Sequence, residues 1–335
     1  MAKLDQATQR PERRLALPGG LRDAGRTYGA LAVLVLLVLY NIFFTSGFLS
    51  PQTINVNLTQ VATIVIVATG MTLVIATGGI DLSVGSLMAI AGAVAPLVFL
   101  RQTTPFNTPV LGTLLAIGIP ILVAGLFGLF NGLLVTAFKI QPIIATLILF
   151  IAGRGIAQVI TNGNLQTFNN PAFQYLGLGR PLGIPFQVIL MLLIVAVVAG
   201  AMRVTTFARY VVATGGNEAA ARLAGVPVDR IKRTVYVVSG LLSGLAGLIV
   251  IAINSSSDAN QIGLNMELDA IAAVAVGGTP LTGGRATIVG TLIGALIIQL
   301  IRFTLLTKGV PYAVAQIVNA VIILIAVYVQ RQSRS

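Results

Sequence analysis

The sequence predicts an all-α, polytopic membrane protein of about ten transmembrane segments, some of them broken or half-length. Three observations carry that expectation. Of 335 residues, 56% are hydrophobic and only 9% are charged, whereas a soluble domain carries roughly 25% charged residues. The apolar material comes in runs of about 20 residues, which cross ~30 Å of hydrocarbon as a helix. The basic residues behind the net charge of +12 collect between and beyond those runs. That is positive-inside topology, and it argues against nucleic acid as a partner. Membrane lipid is the remaining general partner for such charges.

Residues 1–27 are polar, carry Lys3, Arg10, Arg13, Arg14, Arg22 and Arg26, and read as a cytoplasmic tail. They lack the apolar core and small-residue cleavage site of a signal peptide. The transmembrane domain is expected over 28–330. Its apolar runs are 28–49, 57–77, 82–100, 109–137, 142–161, 185–203, 234–254, 267–277, 286–304 and 311–330. A short tail, 331–335, contains Arg331 and Arg334. An even number of crossings puts both termini in the cytoplasm. The 204–233 loop is then cytoplasmic, and it holds Arg209, Arg222, Arg230, Lys232 and Arg233, with Arg203 beside it. Loops 162–184 and 255–266 fall outside and contain one basic residue, Arg180. Run 267–277 is too short to cross alone and reads as a half-helix.

The chain has no cysteine, no histidine and no tryptophan. Disulfides and thiol chemistry are excluded, and the usual metal ligand and pH switch are missing. No metal site and no catalytic group are expected.

Met71–Gly85 (MTLVIATGGIDLSVG) runs an apolar span into Gly78, Gly79, Asp81 and Ser83 before the next span begins. A carboxylate and a broken helix at that depth need protein or a water-filled path around them. Asp81 or Ser83 caps the helix starting near Leu82, or these residues border a solute pathway or gate. The two roles are compatible. A shift of 199 residues lays Ala76, Gly78, Gly79, Leu82 and Gly85 on Ala275, Gly277, Gly278, Leu281 and Gly284. This is a faint repeat of the kind that gives transporters paired broken helices.

Gly215–Pro227 (GGNEAAARLAGVP) predicts a short, sharply bounded cytoplasmic helix. Asn217 is a good N-cap, Glu218 suits the first turn, and Glu218 and Arg222 are four apart in the favourable order. Gly225 and Pro227 end it. A capped knob of small residues suits insertion into a groove on a partner. Its candidate contacts are Gly216, Asn217, Glu218, Ala219, Ala220, Arg222 and Gly225.

Gly277–Arg285 (GGTPLTGGR) has phosphate-loop glycines at 278 and 283, but Gly284 stands where Lys is needed and Arg285 where Ser or Thr is needed. Nucleotide binding here is rejected, so any ATP chemistry would lie in another chain. Glu267 and Asp269 begin the half-helix, where acidic residues are stabilising; they could also line the outer mouth of a pathway. Two apart, they point in different directions. Arg154 either snorkels to the outer interface or pairs with an acidic residue. Asn131 and Gln299 are neutral polar residues inside spans, suited to interhelical hydrogen bonds, with Asn131 also a pathway candidate. Gly240, Gly244 and Gly247 suit close helix packing.

Four stretches carry a resemblance: GMTLVIATGGIDLSVGSLMAIAG, KIQPIIATL, ATGGNEAAARLAGV and ELDAIAAVAVGGTPLTGGR. They resemble the membrane permeases of bacterial monosaccharide ABC importers, the ribose, xylose and galactofuranose group, over roughly residues 55–330. Lys139–Thr167 looks most like the galactofuranose type. The resemblance implies the ABC importer permease fold, a second permease copy or paralogue, a periplasmic sugar-binding protein outside and an ATPase subunit inside. ATP and Mg would be held by that subunit, with no cofactor in this chain. It also implies that Asn217–Gly225 couples to the ATPase. Four residues separate EAA from Gly225 here, one more than in the general importer motif. Two other classes remain as alternatives: an ATP-independent secondary transporter or channel, and a branched-chain amino acid ABC permease.

Overall fold

The computed structural model describes residues 19–99, 108–311, 313–318, 320–322 and 324. Each of the ten expected apolar runs is helical over its described core. Helix α1 (Gly19–Phe44) starts before residue 28. Leu21, Arg22, Ala24 and Arg26 favour helix on intrinsic propensity, so part of the expected tail joins α1. The rest of that tail, 1–18, and the tail 331–335 lie outside the described residues.

Helix α2 (Pro51–Ala76) is the central mast. Ser50 caps it by accepting Thr53 N–H, with Pro51 in the first turn, where its missing N–H costs nothing. Every residue from Val61 to Ala76 is buried, as expected of a helix apolar all round. After the break at 77–83 comes α3 (Val84–Phe99), followed by α4 (Pro109–Thr136) and α5 (Pro142–Thr161). Helix α6 (Pro171–Leu178) is short, and α7 (Phe186–Val204) returns across the bundle. Within their most apolar windows α2 is 83% buried, against 33% for α4, 28% for α5 and 22% for α7. The last three therefore form the apolar outer wall.

The 204–233 loop is mostly helical: α8 (Thr206–Gly216), then α9 (Glu218–Leu223), then α10 (Val228–Asn254). Helix α10 packs on α4, α2 and α3. The α4–α10 contact is a backbone contact, since a methyl group on Gly240 would lie 3.2 Å from Gly128 Cα. Close approach of this kind is what small residues permit.

Two loops at the end of the bundle away from α9 are stitched together. Strand β1 (Gln166–Thr167) pairs antiparallel with β2 (Ser256–Ser257), and Phe99, Phe168 and Phe173 cluster with centroids 4.7–5.6 Å apart. Residues 258–265 then run into the bundle, where Gly263 (φ +68°) meets Gly85 backbone to backbone. Helix α11 (Met266–Val276) starts there, and α12 (Ile288–Thr307) follows the second break. Among the described residues, six helices are long and apolar enough to cross a membrane; 29–44, α3 and 313–322 are shorter apolar helices, and α11 is the half-helix.

Candidate functional site

Asn217 caps α9 as its sequence requires, its Oδ1 accepting Ala220 N–H at 3.0 Å. The helix is six residues long, shorter than two turns. Gly225 stops it in the left-handed region (φ +80°). Val226 N–H bonds Ala221 O and Gly225 N–H bonds Arg222 O, both at 3.0 Å, the paired bonds of a Schellman stop. Ala221 alone turns inward. Gly216, Asn217, Ala219, Ala220, Arg222 and Gly225 are exposed, and Leu223 is 91% exposed.

The knob is fastened to its surroundings. Glu218 accepts from Arg222 at 3.0 Å and from Lys232 at 2.5 Å, and Arg222 also donates to Asp229 at 2.5 Å. Partial burial pushes the Glu218 carboxyl up, but the bonds from Lys232 and Arg222 outweigh it and hold the group below its usual range. Arg233 Nε donates to Thr136 Oγ1 at the end of α4 (2.7 Å). The exposed knob is thus tied to the first turns of α10.

Just before the knob, three backbone segments converge. The two helix breaks end with the same bonds. Gly78 N–H reaches Ile75 O and Gly79 N–H reaches Val74 O; Gly278 N–H reaches Ala275 O and Thr279 N–H reaches Val274 O. Gly78 (φ +82°) and Gly278 (φ +86°) take the left-handed position. The left-handed glycines of the two breaks are therefore 200 residues apart, where the expected repeat had a shift of 199; the same stop also ends α9. Gly277 (φ −68°) is still helical, and only the following glycine makes the turn. The breaks touch: Gly284 N–H donates to Ala76 O at 3.0 Å. A methyl group on Gly283 would lie 2.8 Å from Gly78 N. At the end of α8, a methyl group on Gly215 would collide with Ala76 O and lie 2.6 Å from Gly284 N. So the segment leading into α9 bears directly on both breaks.

Asp81 sits behind this joint. Helix α3 starts at Val84 and Leu87 N–H bonds Ser83 O, so Ser83 occupies the cap position. Asp81 Oδ1 accepts Ser83 N–H (3.0 Å) and Ser83 Oγ–H (2.6 Å), and Oδ2 accepts Ser239 Oγ–H from α10 (2.8 Å). Asn131 Nδ2 donates to Ser83 Oγ (2.8 Å). All four side chains are buried. The structure brings Asp81, Ser83 and Asn131 together as a bolt between α3, α4 and α10, and none of the three reaches solvent here. The favourable end of the α3 dipole faces the carboxylate.

The other expected residues lie elsewhere. Glu267 is buried, with Oε2 unpartnered, while both carboxylate oxygens of Asp269 accept from Arg302 Nη2 (2.6 and 2.7 Å). Arg154 makes no direct ion pair among the described residues and reaches instead the 255–266 loop. Its Nη1 donates to Ala259 O (2.8 Å) and Ile262 O (2.5 Å), pinning the segment that enters the bundle. Sequence reasoning missed Ser239, the Thr72–Thr291 contact (2.8 Å) and the Thr279–Thr287 clasp (2.6 Å). Ser239–Gly240 and Ser243–Gly244, hydroxyls beside packing glycines, were the available signal.

Residues 53–327 match the family model described as branched-chain amino acid transport system / permease component. Three curated relatives align along nearly the whole chain. The galactofuranose transporter permease protein of Escherichia coli (strain K12) is 41% identical, covering 97% of this chain and 93% of the relative. The ribose import permease protein of the same organism is 41% identical, over 90% and 94%. The ribose import permease protein of Bacillus subtilis (strain 168) is 39% identical, over 97% of both chains. No solved structure matches the chain.

Proposed function

We propose, on the premise that this chain belongs to the family of branched-chain amino acid transport system permease components, that it is the membrane-spanning subunit of an ATP-driven importer of a simple sugar. The chain is a permease component with several membrane-spanning helices. Its relatives named for galactofuranose and ribose support a monosaccharide as cargo.

The observation that carries the mechanism is the joint before α9. An ATPase subunit that grips the exposed knob and moves it also moves Gly215, and Gly215 rests on Ala76 and Gly284. Closure of the ATPase would thereby press the second break, at Gly284, against the first, at Ala76. In this reading ATP and Mg are held by the ATPase, and a sugar-binding protein delivers cargo to the opposite face. A second permease copy or paralogue completes the path, and both termini lie in the cytoplasm. Lipid covers the apolar wall of α4, α5 and α7.

The test is uptake of radiolabelled ribose, galactose and fructose by proteoliposomes holding the whole transporter. Uptake is expected only with ATP and the ATPase subunit present. Uptake at an undiminished rate by this chain alone would establish a secondary carrier or channel instead. The family description favours one further reading, a branched-chain amino acid cargo; ATP-dependent uptake of leucine with no uptake of any sugar would establish it.

A further inference from the structure

A cavity of about 550 Å³ opens between α2, α10, α11 and α12, at the end of the bundle away from α9. By helix rise its wall on α10 lies roughly 35 Å from the start of that helix. Volumes of ~300–1,000 Å³ are typical of small-molecule sites. Its lining mixes apolar Val56, Ile253 and Met266 with the amides of Gln60, Asn254 and Gln299 and the guanidinium of Arg180. Gln299 is almost fully buried, and its Nε2 donates to Gln60 Oε1 at 2.5 Å. That bond sets the orientation of both amides. It leaves Gln60 Nε2 as a donor and Gln299 Oε1 as an acceptor, neither with a partner among the described residues. The Asn254 amide is likewise uncommitted, while Arg302 on the same wall is held by Asp269.

Paired free donors and acceptors beside apolar surface match one chemistry well. Ring hydroxyls donate and accept, and the ring's C–H face is apolar. We propose that this cavity is a binding site for a neutral polyhydroxylated ring of pentose or hexose size, held within one permease chain. The proposal deepens the importer reading and takes its choice of sugars from it. It names contacts, Gln60, Asn254 and Gln299, that need no second chain.

The chain has no cysteine, so Val56→Cys on the cavity wall and Leu182→Cys on an exposed loop each supply a single thiol. The experiment follows maleimide labelling of this chain by intact mass, in the assembled transporter in nanodiscs, with millimolar D-ribose, D-galactose or D-fructose. At least one sugar is expected to slow labelling at Val56→Cys threefold or more and to leave Leu182→Cys unchanged. Gln60→Leu and, independently, Asn254→Ala should abolish that protection in protein that still assembles. Absence of protection by every sugar overturns the proposal. So does protection by inorganic phosphate or by phosphatidylglycerol in the nanodisc with none from sugar, which would mark an anion site built around Arg180. Uptake of these sugars without protection removes the cavity proposal and leaves the importer reading standing. Protection without uptake does the reverse, and the loss of both removes both.

Discussion

The two broken helices of this chain stop alike and restart differently. The breaks after α2 and after α11 end in the same pair of backbone bonds around a left-handed glycine, Gly78 or Gly278. Beyond that point they diverge. The first spans residues 77–83 and is held by a buried carboxylate, Asp81, bonded to Ser83 and Ser239 and reached by Asn131 through Ser83. The second spans residues 277–287, is mostly half-exposed, and is closed by neutral hydroxyls, Thr279 and Thr287. A carboxylate accepting several bonds in a dry interior is a stronger fastener than a pair of hydroxyls. The comparison assigns the first break to the rigid frame and the second to the part that yields when the knob moves.

The sharpest way to break that contrast is Asp81→Leu. It leaves three donors without an acceptor, at about 1–3 kcal/mol each. A large fall in the melting temperature of the purified protein is expected, with a smaller fall for Asp81→Asn, which keeps one oxygen. A Leu variant that melts like the parent would show that the bolt does not hold the frame.

Gly284→Ala tests the joint. Gly284 has φ +79°, and a methyl group there would lie 3.1 Å from Gly216 Cα. A left-handed alanine costs about 1–2 kcal/mol. Uptake is expected to fall about tenfold, the factor that corresponds to ~1.4 kcal/mol, while ATP hydrolysis by the partner persists. Equal losses of hydrolysis and uptake would place the defect in assembly instead.

Thr287→Val removes hydroxyl bonds to Thr279 and to Gly277 O, on the order of 1 kcal/mol each. Amide exchange is expected to quicken over 279–287 and to stay unchanged over 77–83. Faster exchange at both breaks would erase the distinction between them.

The smallest effect belongs to Glu218→Gln. Exposed pairs contribute about 0.2–1 kcal/mol, so a modest weakening of ATPase co-purification is expected. The carboxyl is held below its usual range. Its stabilisation is therefore complete above the ordinary carboxylate range and is lost as pH falls through the depressed value. Co-purification of the parent should stay flat from neutral to mildly acidic pH and drop only under stronger acid, and the Gln variant should lack that drop.

The long apolar runs were legible because hydrocarbon thickness sets helix length. The knob was legible because capping is local chemistry: Asn217, Glu218, Arg222 and Gly225 stand where single-helix rules put them. The register of the two breaks was legible only to within one residue. Two adjacent glycines offer the same composition, and φ decides which of them turns. The partners of Asp81 and Arg154 were not legible, because Ser239 and the carbonyls of Ala259 and Ile262 are brought near only by tertiary packing. Neutral hydroxyls in apolar helices leave no periodic mark. The span of α8 was not legible either, because the basic residues of that loop mark which side of the membrane it occupies and carry no helix period.

Where Ala76, Gly215 and Gly284 meet, main chain presses on main chain with no side chain between them. A lever made this way is blind to what it moves. Such a lever could be kept unchanged while the cargo is exchanged, with selectivity left to surfaces remote from it.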